Sequence, residues 1–293
     1  MYFCLIVEAK YRHELMPLAV AHQLEQWGHE VDLLEPQTAI TCLSDFTKKM
    51  YDAYILKTVS GGPGLSILEA AEAADIPTIN NSRSIRLVRD KAVASVFAHT
   101  RGLPIPLTYF IAHPGLLMQI PTEDFPLVVK PVHGSSCRSI YRVDSPADLA
   151  TLNIAETNTD FLLAQQYVEN TGFDIKLYVA GNEVFAVTKR SPLHPEVKVE
   201  KRLIPVTLEL RNLALRVGQL FGLDIYGLDV VETSHGPMIV DINDFPSFGQ
   251  VPHAVALVSS HIVQIASRSA KRLNGPTIET LTDVIKEVAV SLP

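Results

Sequence analysis

The sequence predicts an α/β protein in which a small parallel sheet is followed by hairpin-rich α+β structure. Three observations carry that reading. Over the first 80 residues, short apolar runs alternate with helical segments. From about residue 125, paired apolar runs separated by polar turns take over. In the last third, Asp229, Asp241 and Asn243 stand inside two such runs joined by a turn of hairpin length.

The elements follow in order. Residues 2–8 form an apolar strand. Residues 14–27 carry Leu15, Leu18, Ala19, Ala21, His22 and Leu24 at roughly helical spacing, and Gly28 stops the helix. Trp27, the only tryptophan, is expected to pack this helix on its sheet. Residues 31–34 and 54–56 are the next strands. Gly-Gly-Pro-Gly at 61–64 leads into a helix over 65–74. It reads as a tight turn with proline at a helix start; backbone N–H groups offered to an anion are the alternative. Residues 77–80 are a fourth strand. A long helix then runs to Thr100, capped by Ser82 or Ser84 and ended by Gly102. Residues 125–131 and 140–143 form a hairpin around the polar turn 133–139, a short helix begins near Asp148, and 161–168 is a strand. Residues 174–179 and 183–188 pair around Gly181-Asn182, a dipeptide suited to φ > 0. Thr207 caps a helix over 207–221, and helices over 254–273 and 277–290 close the chain.

Composition narrows the function classes. The 293 residues suffice for two or three compact units, and 47% hydrophobic content excludes a disordered chain. A net charge of −7 without a long basic run argues against nucleic acid as the main ligand. Cys4, Cys42 and Cys137 are scattered and odd in number, so no disulfide framework is implied, and the ten histidines do not join them at zinc-ligand spacing. The N-terminus reads as a strand rather than a leader, and no window approaches a membrane span. A cytoplasmic enzyme with no membrane partner is the expectation.

The acidic hairpin is the strongest chemical signal. Alternation along 238–243 puts Asp241 and Asn243 on one face, and the partner strand brings Asp229 alongside. Three oxygen donors on rigid strands suit a hard cation such as Mg2+. A salt-bridged strand end is the bland alternative, but burying like charges together is costly without compensation. Other polar residues stand in supporting positions. Lys91 lies in a helix, and Lys130 ends a strand before a Gly-Ser turn. Gln165-Gln166-Tyr167-Val168 ends another strand, Asp174 and Lys176 open a hairpin, and Lys189-Arg190 closes it. Cations for phosphates, a small-residue turn, a strand edge for a base, a carboxylate for ribose and metal ligands are the parts of a nucleotide site.

In order and spacing these residues resemble the ATP-grasp enzymes of the RimK-type amino-acid ligase branch, over roughly residues 80–265. The resemblance implies an ATP-grasp fold of three units: an N-terminal domain over 1–80, a central lobe over 81–163 and a C-terminal lobe over 164–293, the two lobes clamping ATP. It implies phosphate contacts at Lys91 and Lys130. The glycine-rich loop would lie at 134–139, with Ser135 and Ser136 near the phosphates. Adenine would meet Gln166, Tyr167 and Val168, and the ribose Asp174. Lys176 would join the nucleotide site, and Arg190 would act with Lys130 on the transferred phosphate. Mg2+ or Mn2+ would be held by Asp229, Asp241 and Asn243. The implied reaction is ATP-dependent carboxylate–amine ligation through an acyl phosphate, on a small-molecule or peptide substrate, in an enzyme that forms homo-oligomers.

Two departures stand out. The loop reads Gly-Ser-Ser-Cys-Arg-Ser, with Cys137 and Ser139 where further glycines are typical. Residues 191–202 replace the Asn/Arg-Gly-Gly stretch of the RimK-like ligases, in the region where specificity is expected. His194, Lys201, Arg202 and Ser247 are therefore the candidate substrate contacts. Over 176–184, 189–192 and 241–248 the chain is also similar to inositol polyphosphate kinases, in which Lys198, Lys201 and Arg202 would bind substrate phosphates. A mixed-charge solvated segment is the bland reading of 198–202.

Overall fold

The computed structural model describes residues 1–11, 15–57, 62–132, 140–151 and 161–273. The loop over 134–139 and the helix expected over 277–290 lie outside them.

The N-terminal unit is a four-stranded sheet in the order β2-β1-β3-β4, parallel throughout. Its strands are β1 (Tyr2–Val7), β2 (Glu30–Leu34), β3 (Ala53–Lys57) and β4 (Thr78–Ile79). β3 is buried along its whole length, as a continuous apolar run in a covered parallel sheet requires. Helices α1 (Leu15–Gln26) and α2 (Gly64–Ala73) make the crossovers. Trp27 departs from its expected role: it lies past the end of α1 and is 44% exposed.

The helix expected to run unbroken to Thr100 is two helices, α3 (Ser82–Arg89) and α4 (Lys91–Thr100). Asn81, not Ser82 or Ser84, caps α3, accepting from the Arg83 and Ser84 N–H groups. Asp90 leaves helical geometry and caps α4 through its carboxylate, accepting from Ala92 and Val93. Lys91 thereby becomes the first residue of a helix rather than a mid-helix residue.

A second sheet has the order β5-β8-β6-β7, antiparallel, from β5 (Thr108–Ile111), β6 (Leu127–Pro131), β7 (Tyr141–Val143) and β8 (Leu162–Gln166). Its small core gathers Ile111, Leu127, Val129, Val143, Leu162 and Ala164. The third sheet, β11-β10-β9-β12-β13, is also antiparallel. It comprises β9 (Phe173–Ala180), β10 (Glu183–Arg190), β11 (Leu203–Ile204), β12 (Ile225–Thr233) and β13 (Gly236–Asp244). Gly181 turns β9 into β10 at φ +60°, with the His261 ring packed where a Cβ would stand.

One face of this third sheet is mostly apolar. Ile175, Leu177, Val179, Ala186, Leu228 and Val230 pack there against α5 (Leu208–Phe221), which Thr207 caps. Val88, Ala94 and Ala98 of α3 and α4 join that core. On the opposite face, Tyr178, Ala180, Val187, Ile225, Phe245 and Phe248 merge with β1, α1 and α6 (Ala254–Leu273) in one cluster. The cores thus cut across the boundaries expected from the sequence. A division at 163/164 falls inside β8, and helices 82–100 share their core with the C-terminal sheet.

Candidate active site

The second and third sheets face each other across a cleft of ≈ 1030 Å³ of empty space. Side-chain alternation decides what lines it. On the second sheet, Leu127 and Val129 of β6 face that sheet's own core, so Val128 and Lys130 face the cleft. On the third sheet the inner face changes character along each strand. β9 runs from Asp174 and Lys176 to Tyr178 and Ala180, and β12 from Ile225 to Asp229. β13 runs from Asp241 and Asn243 to the apolar Phe245 just beyond it. The polar ends lie together and form the floor of the cleft.

The acidic trio converges as its spacing predicts. Asp229 stands directly opposite Asp241 in the register, and Asn243 lies two residues along the same face. The Asn243 amide is 3.5 Å from Asp229 Oδ2. A bulge follows, with Val230 pairing Ile239, so that Val240 is the extra residue. The bulge turns Ile239 into the apolar core while Asp241 faces the cleft. The carbonyl of Val240 receives the Lys130 ammonium at 2.9 Å.

Lysines surround the carboxylates. Lys91 is 3.3 Å from Asp241, and Lys176 and Lys189 are 3.2 and 3.6 Å from Asp229 Oδ1. That oxygen is buried and accepts no hydrogen bond, so its lone pairs are met by charge alone. Burial acts to raise the Asp241 carboxyl, but Lys91, Lys130 and Lys176 outweigh it and hold the group below its ordinary range. Burial pushes the Lys130 ammonium down to about 8. Asp174 is raised by burial, against the Ser191 hydroxyl that hydrogen-bonds it and the nearby Lys189 charge. Two carboxylates, one with an oxygen that accepts no hydrogen bond, and an amide fit a hard divalent cation. Four ammonium groups beside them fit a polyphosphate.

The cleft also has an apolar wall, made by Val128, Ile140, Leu193, Val231 and Val240. Gln166, Tyr167 and Val168 border it as the chain leaves β8. The Gln166 and Tyr167 N–H groups are tied to the Leu107 and Pro126 carbonyls, which fixes this edge.

Other expected residues fall elsewhere. Arg190 is exposed, and its guanidinium is turned to the Pro195 carbonyl; Lys189, one residue earlier, occupies the cleft instead. Lys189 was readable: the two-residue turn at Gly181-Asn182 pairs it with Asp174, on the same face. His194 bonds the Tyr167 hydroxyl at 2.9 Å and lies 3.2 Å from Glu196, so it braces the segment that follows β8. Ser247 hydrogen-bonds the Tyr178 phenol, and the Lys201 ammonium lies beside Gly249. Arg202 holds the Thr188 hydroxyl and N–H through its backbone. At the Gly-Pro-Gly turn, the N–H of Gly64 is taken by the buried carboxylate of Glu8 at 2.9 Å, which fills the place an anion would need. Ser135, Ser136 and Cys137 lie outside the described residues. Among the described residues no group of three or more His, Cys, Asp or Glu side chains forms a metal cluster, because the trio here includes an amide.

The family model for the RimK-like ATP-grasp domain matches residues 88–256. The chain belongs to the RimK-like ATP-grasp family. A protein named "Probable alpha-L-glutamate ligase" from Legionella pneumophila (strain Paris) is 25% identical over 283 residues, covering 86% of this chain and 91% of that protein. Among solved structures, a RimK domain ATP-grasp protein from Sphaerobacter thermophilus superposes with a TM-score of 0.68 at 18% identity, covering 90% of this chain and all of that one. The ATP-grasp ligase PsnB, complexed with minimal precursor, Mg and ADP, gives 0.67 at 16% identity, covering 90% and 97%. This RimK-like chain is an ATP-dependent carboxylate–amine ligase, and the kinase alternative is not favoured. No described helix is long and apolar enough to cross a membrane.

Proposed function

We propose that the enzyme joins L-glutamate to a small molecule or peptide, with ADP and phosphate released and an acyl phosphate between the two half-reactions. The observation that carries this reading is the floor of the cleft, where Asp229, Asp241 and Asn243 meet Lys91, Lys130, Lys176 and Lys189. The name of the Legionella relative supports glutamate as one substrate, and the Mg and ADP of the PsnB complex support those ligands here.

Each residue has a task in this reading. The apolar wall of the cleft takes the base between Val128 and Val231, Asp174 holds the ribose, and Lys91 and Lys130 hold phosphate oxygens. A bound Mg2+ at the acidic trio would supply neutralisation of phosphate charge. Lys189, rather than Arg190, stabilises charge on the transferred group. Catalysis is then positioning plus charge neutralisation, with no protein nucleophile. Lys201 and Ser247 lie at the acceptor side, where an ammonium suits an acidic substrate.

The test is 31P NMR of the full chain with MgATP, L-glutamate and a pool of carboxylate acceptors. The expected result is ADP and free phosphate that depend on glutamate. A new phosphoester signal without free phosphate would overturn the ligase chemistry, and turnover indifferent to glutamate would remove that substrate.

A further inference from the structure

No described residue of the N-terminal unit lines the cleft. The unit nevertheless grips the two strands that carry the acidic trio, at their apolar ends. Lys57 ends β3 and is 8% exposed. Its ammonium donates to the Phe245 carbonyl at 2.6 Å and lies 4.7 Å from the centroid of the Tyr11 ring. Asn80, just past β4 and fully buried, holds the neighbouring strand. Its amide nitrogen donates to the Ile225 carbonyl at 2.6 Å, and its amide oxygen accepts from the Asp224 and Ile225 N–H groups at 2.9 and 2.7 Å. The Ile225 carbonyl also accepts from the Phe245 N–H at 3.2 Å. The start of β12 and the end of β13 are thus tied to each other and to two residues of the N-terminal unit.

Phe245 is the residue that needs a hold. Its φ is +38°, a left-handed conformation that costs free energy for any residue with a side chain. The chain makes this turn directly after β13, two residues past Asn243 and four past Asp241. A charge-assisted hydrogen bond to the Phe245 carbonyl opposes relaxation of the turn. Asn80 meanwhile fixes the start of β12, the strand of Asp229. The Lys57 contact therefore bears on where Asp241 and Asn243 stand relative to Asp229.

We propose that Lys57 is a positioning residue for the acidic trio: by holding Phe245 in its left-handed turn, it sets the spacing at which Asp229, Asp241 and Asn243 take a divalent cation. This rests on the metal reading of the trio. The N-terminal unit then acts on the site through the backbone of β13, without contributing a side chain to the cleft. Partners that orient metal ligands without touching the metal govern affinity in this way.

The experiment titrates Mn2+ into the full chain with ADP, followed by electron paramagnetic resonance, and separately titrates ADP in EDTA by calorimetry. Lys57→Met keeps the aliphatic stem and removes the ammonium. Its Kd for Mn2+ should rise about tenfold, the scale for losing a partner that orients metal ligands. Its affinity for metal-free ADP should stay within about twofold, because the groups that meet ADP alone are untouched. Ile225→Ala loosens the same end without removing the Lys57 hold, so it should leave Mn2+ binding unchanged. Unchanged Mn2+ binding in Lys57→Met overturns the inference. So does an equal loss in Ile225→Ala, or a parallel loss of metal-free ADP, since either would mean general loosening rather than positioning. If Lys57→Met lacks native circular dichroism, Lys57→Gln decides, and unchanged Mn2+ binding there overturns the inference. Failure of the wild type to bind Mn2+ with ADP would overturn the metal reading as well.

Discussion

The two ends of one sheet face form the instructive contrast in this molecule. On β9, Asp174 and Lys176 are followed on the same face by Tyr178 and Ala180; on β12, Asp229 is preceded by Ile225. The apolar end is sealed by α1 and α6, and the Tyr178 ring stacks on Phe248 at 5.3 Å. The polar end opens to the cleft. A few residues along the same strands thus separate the part that holds the N-terminal unit in place from the part that holds charge. The strand is a rigid ruler, so whatever anchors Ile225 also fixes Asp229.

The contrast predicts separable failures. The largest effect should come from Asp241→Asn. It removes the charge that Lys91 meets at 3.3 Å and leaves a neutral amide at one proposed metal position, with little change in volume. ATP turnover should fall by roughly 10²–10³-fold, the range for deleting one preorganised charge-stabilising group. The circular dichroism spectrum should stay native, and turnover near the wild-type level would sink the metal assignment. At the other end, Ile225→Ala should cost about 2–5 kcal/mol in urea unfolding, as for other buried aliphatic truncations, because Ile225 is fully buried. Its KM for ATP should not move. A changed KM would mean that the two ends are not separable.

The same contrast explains what the sequence made readable. That Asp241 and Asn243 share a face was legible from period-two alternation, but the turn pairs Thr233 with Gly236, and it is the bulge that brings Asp241 rather than Val240 opposite Asp229. The bulge at Val240 was not legible, since nothing in Met-Ile-Val-Asp marks an extra residue; Ile239 enters the core only because tertiary packing selects it. Arg190 is what the family resemblance implies, while parity from the Gly181-Asn182 turn points to Lys189 on the cleft face. The break at Asp90 was half visible. Aspartate is a favoured cap, but without glycine or proline the helical period runs straight through Arg89-Asp90-Lys91.

The outer face of the sheet offers a control away from both ends. Gly218 on α5 stands against Tyr226, whose hydroxyl donates to the Ala214 carbonyl at 2.7 Å. A Cβ there would lie 2.8 Å from Tyr226 Cζ. Gly218→Ala should therefore destabilise by about 1–3 kcal/mol through overpacking, despite its gain in helix propensity. Urea denaturation would measure it. A neutral or stabilising result would mean that α5 rides further from β12 than 2.8 Å allows.

The smallest effect expected should also be the most diagnostic, because it links the outer-face core to the polar end. Asp90 caps α4, and the next residue, Lys91, reaches Asp241. The same short segment carries Arg89, whose guanidinium pairs with Asp244 at 2.7 and 3.0 Å, one residue past Asn243. Asp90→Ala should cost about 1 kcal/mol of stability, the usual price of a lost cap. Loosening the first turn of α4 should also let Lys91 drift from Asp241, raising the KM for ATP while kcat changes less. Asp90→Asn keeps a side-chain acceptor for the Ala92 and Val93 N–H groups, so it should restore both quantities. A stability loss without any change in KM would show that the Arg89–Asp244 pair alone holds Lys91 in register.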